Sequence, residues 1–214
     1  MNIRVILLLA PFLLTGCSTV SNIPWAKMSP TNWFGSNLEL KNSGLNGISG
    51  NTPLEEKTLD NKLDGDYRLR KGTAMSGGQI TSFYEAMDDD EVAVAIYGNS
   101  RNRVERIEIM DKSIKTPAGT HVGTEFSDLY KKAFDVCEVG TDDNSGSVLC
   151  RSPEGRRITY VFSGEWLGPA KIMPSDDKLQ EWKISKMIWQ AGNAVNPVNK
   201  NAAAPNAANQ IQSK

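Results

Sequence analysis

The sequence predicts an α+β fold in which antiparallel β meanders carry two packing helices. Short segments with alternating apolar residues, of which Ile158, Tyr160 and Phe162 form the clearest, are typical of strands with one buried face. Turn-forming residues separate these segments, and a helix signal precedes each of two groups of strands. We therefore expect helices packed on antiparallel sheet.

Residues 1–16 have the layout of a secretory signal peptide, with Arg4 before the apolar run Val5–Leu14. The run is too short to span a bilayer, which takes roughly 20 residues. Leu14-Thr15-Gly16-Cys17 resembles the lipobox of bacterial lipoproteins, in which the cysteine thiol receives diacylglycerol and the signal is cut before the cysteine. The resemblance implies a lipid anchor at Cys17. Since Ser18 replaces the aspartate that favours inner-membrane retention, it also implies the outer membrane, facing the periplasm.

Residues 17–46 are rich in Ser, Asn, Gly and Pro and are predicted to form a lipidated tether. Trp33 and Phe34 interrupt this segment. Two placements are open for them, either at the lipid headgroups or against the surface of the domain. Residues 191–214 are dominated by Ala and Asn, and we expect a disordered tail there.

The globular domain is expected over residues 47–190, with candidate repeat units at 47–111 and 118–190. In the first unit, Thr52-Pro53-Leu54-Glu55 predicts a capping box and a helix to about Leu63. The predicted strands of this unit are 66–69, 80–87, 92–97 and 104–110.

In the second unit, apolar residues at helical spacing predict a helix after Thr124: Phe126, Leu129, Tyr130, Ala133 and Phe134. The predicted strands are 136–139, 148–151, 158–163 and 184–189. The two units therefore have the same order of elements. Internal repetition and accidental similarity both remain open as explanations.

Cys137 and Cys150 flank the turn-forming stretch 140–146, so they can face each other across a hairpin. A disulfide here fits an oxidising compartment. The alternative is a redox or metal site, for which the sequence offers no CxxC and a single histidine.

An insertion rich in Gly and Pro follows the strand at 158–163, and it carries Glu165, Trp166, Asp176 and Asp177, with Trp182 just beyond. These side chains are candidates for contact with a partner or ligand, together with Trp33 and Phe34. The other interpretation is that the tryptophans anchor the insertion to the core and the aspartates stabilise the start of a helix.

The chain resembles the enterobacterial family of small lipoproteins that are controlled by the envelope-stress sigma factor E and have no characterised function. The matching stretches are Asn32-Trp33-Phe34-Gly35-Ser36, Leu63 to Arg70, Gly123 to Tyr130, Phe162-Ser163-Gly164-Glu165-Trp166, Met173-Pro174-Ser175-Asp176-Asp177, Trp182-Lys183 and Ile188-Trp189. The Ala/Asn tail departs from the family pattern. The resemblance implies a location in the cell envelope and control by the envelope-stress response, and it supplies no catalytic residues.

Composition and motifs narrow the function classes. The chain has 24 basic and 25 acidic residues without a basic block, which argues against nucleic acid as a partner. No metal-ligand cluster, nucleophile elbow or phosphate-binding loop is recognisable, so we expect no metal or cofactor. The leading hypothesis is a non-enzymatic, lipid-anchored module that binds an envelope protein or cell-wall component. The alternatives are a receptor for a lipid, glycan or peptide, and a cell-wall hydrolase that uses Glu165 with Asp176 or Asp177.

Overall fold

The structure, a computed structural model, describes residues 37–76 and 79–192. The helices are α1 (Glu56–Lys62), α2 (Phe126–Leu129) and α3 (Asp176–Leu179). The strands are β1 (Leu40–Lys41), β2 (Gly44–Leu45), β3 (Arg68–Ser76), β4 (Gln79–Asp88), β5 (Glu91–Gly98), β6 (Val104–Ile109), β7 (Cys137–Val139), β8 (Val148–Arg151), β9 (Ile158–Ser163) and β10 (Lys183–Gln190). Antiparallel β-structure dominates, and the helical content is smaller than expected for an α+β fold.

One sheet of eight strands organises the domain, in the order β3-β4-β5-β6-β10-β9-β8-β7. Every neighbouring pair in it is antiparallel. The first half follows α1 and the second half follows α2, and the two halves meet where β6 pairs with β10. Whether the halves are a true repeat remains a prediction.

Both predicted helices are shorter than the sequence suggested. Thr52 does not cap α1; its Oγ1 accepts a hydrogen bond from the Ser49 N–H at 2.9 Å, and the helix starts at Glu56. The helix α2 ends at Leu129 because Tyr130 turns to extended backbone and its Oη donates to the Arg151 carbonyl at 2.6 Å. Phe134, expected on the buried face of that helix, is 82% exposed. Tertiary contacts override the helical periodicity here.

The core lies between one face of the sheet and a layer of short helices and irregular segments. Buried residues of this layer include Leu59 of α1, Phe126 of α2 and Leu179 of α3. Leu38, Leu40 and Leu45 also belong to the core, although residues 17–46 were predicted to be tether. The folded domain therefore begins by residue 38, because three leucines at the end of that segment fill the core. At the other end, the Ala191 N–H donates to the Glu105 carbonyl at 2.8 Å, so the fold continues slightly past residue 190.

A disulfide joins Cys137 of β7 to Cys150 of β8. The two cysteines are direct partners in the antiparallel register. The bond therefore closes the hairpin at one edge of the sheet, as expected from the turn-forming residues between the cysteines.

Candidate functional site

The predicted contact residues do not assemble into one site in the described part of the chain. Trp33 and Phe34 lie outside the described residues. Trp182 is 3% exposed, and a Cβ added at Gly164 would lie 2.3 Å from its indole ring, so this tryptophan is a packing residue. Its burial favours the interpretation that Trp182 anchors the insertion to the core.

The other predicted residues are divided between the insertion and α3. Trp166 is half-buried and its Nε1–H donates to the Pro169 carbonyl at 3.1 Å, while Glu165 is exposed. Asp176 accepts the Ala133 N–H on Oδ1 at 2.9 Å, and Asp177 is exposed. Asp176 thus ties the start of α3 to the segment after α2.

Asp176 also borders a shallow, largely apolar cavity of about 580 Å³. Phe134, Met173 and Pro174 are among its other lining residues. The cavity is wide open to solvent, so it would bury little of the surface of a bound ligand.

A stronger candidate lies on the sheet face that points away from the core, which we call the open face. On it, five residues stand directly opposite one another across five strands: Gly72, Phe83, Tyr97, Arg106 and Gln190. We call them the aromatic row. The Phe83 and Tyr97 ring centroids are 5.6 Å apart, and the Arg106 guanidinium lies 4.1 Å from the Tyr97 centroid. These contacts are typical of aromatic pairing and cation–π attraction.

Gly72 determines where Phe83 can sit. A Cβ added at Gly72 would lie 2.3 Å from the Phe83 Cζ, so the ring covers the backbone of the edge strand β3. The Phe83 ring therefore has a structural role in addition to the surface that it presents.

A second row beside the first carries charge, and we call it the charged row: Arg70, Glu85, Ala95, Glu108 and Ile188. Arg70 Nη2 lies 2.6 Å from Glu85 Oε2. Glu108 pairs with Lys186 Nζ at 3.0 Å and with Arg106 Nε at 3.3 Å. Because these acids and bases are already paired, the open face is polar but has no strong excess of one sign.

A cavity of about 650 Å³ lies over the open face. Its lining includes Ala74 and Met75 of β3, the aromatic-row residues Phe83, Tyr97 and Arg106, and Asp143 from the turn between β7 and β8. In a flat sheet, β3 and that turn would be six strand spacings apart, about 29 Å. Since both border one cavity of this size, the sheet curls and the open face is concave.

The Tyr97 hydroxyl stays protonated at neutral pH. Burial raises the pKa of Tyr97 above 10.0, and Glu108 raises it further against the opposing effect of Arg106. Tyr97 thus offers a ligand a neutral hydroxyl that can donate and accept, next to an apolar ring.

Glu154 is the centre of a second polar cluster, on the core side of the sheet. Its Oε1 accepts hydrogen bonds from Thr116 Oγ1 at 2.8 Å, Thr120 Oγ1 at 2.9 Å and Tyr160 Oη at 2.9 Å, and its Oε2 accepts the Ala118 N–H at 3.2 Å. Burial raises the pKa of Tyr160 to about 12. These donors fix the carboxylate in place, so the cluster holds the loop at 116–120 to the sheet.

Within residues 37–76 and 79–192, no group of three or more His, Cys, Asp and Glu side chains is placed to hold a metal ion. No helix in that part of the chain is long and apolar enough to cross a membrane.

Sequence reasoning missed both the open face and the Glu154 cluster. Alternation marks Phe83 and Glu85, or Arg106 and Glu108, as the solvent side of their strands. Alternation within a strand does not indicate which strands pair with each other in the sheet. The register of the sheet brings these residues together.

The family model described as "Protein of unknown function (DUF1131)" matches residues 22–191. The chain is 42% identical over 189 residues to the uncharacterised protein YfeY of Escherichia coli strain K12, a match that covers 88% of this chain and 98% of YfeY. The crystal structure of the uncharacterised protein yfeY from Escherichia coli matches with a TM-score of 0.64 at 41% identity. That match covers 71% of this chain and 99% of the crystallised chain.

Proposed function

The chain belongs to the DUF1131 family of proteins of unknown function, and we propose that it is a lipid-anchored binding module of the outer membrane, facing the periplasm. Its role is accessory and non-enzymatic: it binds an envelope protein or cell-wall component when the envelope is under stress. The stress connection is supported by the resemblance in the sequence. The binding role is supported by the concave open face with its row of Phe83, Tyr97 and Arg106.

The anchor is supported by Leu14-Thr15-Gly16-Cys17 and by the disulfide, which fits an oxidising compartment. Acyl chains contribute roughly 0.8 kcal/mol per buried CH₂, and two or more chains hold a protein stably on a membrane. In cells fed labelled palmitate, the chain should incorporate label and fractionate with outer membrane. Cys17→Ser should abolish both, and unchanged labelling and fractionation in this variant would contradict the anchor.

The open face is the binding surface in this proposal because it combines aromatic rings, paired charges and a concave shape. Aromatic and Arg residues in such settings dominate interface energetics. Glu165, the residue considered for hydrolysis, is exposed in the insertion, whereas a glycosidase acid typically lies in an apolar pocket. That difference favours binding over hydrolysis.

Tyr97→Ala tests the binding role, with Phe134→Ala as the matched control. Both remove an aromatic ring that contacts solvent, but Phe134 lies away from the open face, beside the smaller cavity. Tyr97→Ala should reduce recovery of a partner crosslinked in stressed cells by about tenfold, and Phe134→Ala should leave recovery unchanged. Equal recovery from both variants would contradict the assignment of the open face.

Small-ligand binding is the second candidate, and the cavity of about 650 Å³ favours it. The volume lies within the range of roughly 300–1,000 Å³ that is typical of ligand cavities. Native mass spectrometry of the chain purified from stressed cells should then show a bound lipid, glycan or peptide that Tyr97→Ala loses.

A further inference from the structure

The two edges of the eight-stranded sheet differ in length and protection. One edge is β7, three residues long and crosslinked to its neighbour by the disulfide. The other is β3, nine residues long. An edge strand leaves every second pair of backbone N–H and C=O groups without a strand partner, and such a row is a template for another strand. The longer template is therefore on the β3 side.

Charge protects only the first half of β3. Natural edge strands are blunted by charged side chains, which Arg68, Arg70 and Lys71 provide at its start. From Gly72 through Tyr84, across the end of β3 and most of β4, the chain contains no charged residue. Met75 on this stretch is 74% exposed. Residues 72–76 are therefore the unprotected part of the edge.

The second small residue of this stretch, Ala74, leaves space over the open face, whereas the Phe83 ring fills the space above Gly72. Ala74 stands opposite Thr81 in the register, and Ala74, Thr81 and Phe83 line the large cavity. A strand added beside β3 would direct alternate side chains toward this cavity, next to the aromatic row. The cavity is thus open on the side where a strand can be added.

We propose that residues 72–76 of β3 bind an extended segment of another polypeptide by adding it to the sheet as a ninth, antiparallel strand. Main-chain hydrogen bonds to β3 supply affinity, and alternate apolar or aromatic side chains of the segment enter the cavity and supply selectivity. This inference rests on the proposed binding function and names its partner class, an unfolded or extended chain with alternating apolar residues.

A second copy of this chain fits the edge less well. Two β3 strands paired with each other would direct Gly72 and Ala74 toward the cavity, and these residues are too small to fill about 650 Å³. A partner with large alternate side chains fills the same space. Dimerisation through β3 is accordingly an outcome that would overturn the inference.

The test uses the purified full chain and a fluorescein-labelled decapeptide of alternating Thr and Phe with lysine at both ends. Fluorescence anisotropy should detect saturable binding. Two further peptides carry backbone N-methyl groups on the Thr residues or on the Phe residues, and each blocks one edge of the extended peptide. In an antiparallel strand whose Phe side chains point toward the cavity, only one edge of the peptide backbone faces β3. The peptide that is methylated on that edge should therefore bind at least about tenfold more weakly, and the other methylated peptide should bind nearly normally.

Two matched variants test the location. Met75 and Ile80 are direct partners in the register and are 74% and 73% exposed, so lysine at either position leaves the core intact. Met75 lies on the edge strand and Ile80 lies one strand inside. Met75→Lys should weaken peptide binding at least about threefold more than Ile80→Lys, because edge lysines disfavour strand addition.

Amide hydrogen exchange gives an independent readout, in which bound peptide should slow exchange at alternate amides of residues 72–76. Absence of peptide binding, equal loss with both N-methylated peptides, unchanged exchange in β3, or a dimer formed through β3 would overturn the inference. Peptide binding that Tyr97→Ala removes but N-methylation does not affect would overturn strand addition and leave the proposed open-face function standing.

Discussion

Replacement of Glu154 by glutamine tests whether this carboxylate holds the loop at 116–120 to the sheet. A hydrogen bond to a charged acceptor contributes roughly 1.5–3 kcal/mol and one to a neutral acceptor roughly 0.5–1.5 kcal/mol. Three hydroxyl donors reach Oε1, from Thr116, Thr120 and Tyr160, so the neutral amide loses about 1 kcal/mol at each. The carboxylate is partly exposed, which reduces the expected total to about 2 kcal/mol.

Urea denaturation at neutral pH measures this difference in the free energy of unfolding. Glu91→Gln is the matched control, since Glu91 is exposed at the turn between β4 and β5. We expect a change within about 0.5 kcal/mol for that variant. A loss below about 0.5 kcal/mol for Glu154→Gln, or equal losses for both variants, would refute the reasoning.

The same network predicts a pH dependence. Desolvation raises the pKa of Glu154, but hydrogen bonds from Thr116, Thr120, Tyr160 and Ala118 outweigh it, and the pKa is lowered below 4.5. A group with a lowered folded-state pKa stabilises the fold above its unfolded-state pKa, and this contribution is lost as pH falls through the folded-state value. The stability difference between wild type and Glu154→Gln should therefore be full above pH 4.5 and shrink below it. A constant difference down to about pH 3 would contradict this account.

The remaining predictions concern the sheet edge and the core. The double variant Cys137→Ser with Cys150→Ser should lower the free energy of unfolding by about 3 kcal/mol, because the disulfide spans 13 residues. Urea denaturation with and without reductant checks this: reductant should destabilise the wild type and leave the double variant unchanged. A reductant effect of the same size in the double variant would contradict the prediction. Trp182→Ala should cost about 3–5 kcal/mol of stability, whereas Trp166→Ala at a half-buried position should cost clearly less. Thermal unfolding compares the two variants, and equal losses of stability would contradict this prediction.

Strand positions were predictable where alternation marks a buried face, whereas the strand predicted at 66–69 extends over Arg68–Ser76 as β3. Ile158–Ser163 and Val148–Arg151 occur at their predicted bounds, and 92–97 lies inside β5. Alternation of apolar and polar residues reflects burial of one strand face, so it predicts a strand wherever one face packs on the core. Helix length was less predictable: the apolar spacing after Thr124 continues to Phe134, yet extended backbone at Tyr130 ends α2.

The candidate site was harder to predict than the fold. Tryptophans beside acids suggested a contact surface, but Trp182 packs in the core against Gly164. Aromatic residues bury large areas, so a tryptophan in an insertion is as well suited to anchoring as to binding. Phe83 and Tyr97 became candidates only through the register of β4 and β5.

Photocrosslinking in living cells tests the central claim, that the anchored domain binds its partner through the open face. The photoreactive analogue p-benzoylphenylalanine replaces Glu105, an exposed residue that lines the cavity over the open face, or, as a control, the exposed Lys57 of α1. During envelope stress, the Glu105 position should form a discrete crosslinked product and the Lys57 position should not. Equal crosslinking from both positions, or none from the Glu105 position, would contradict the account.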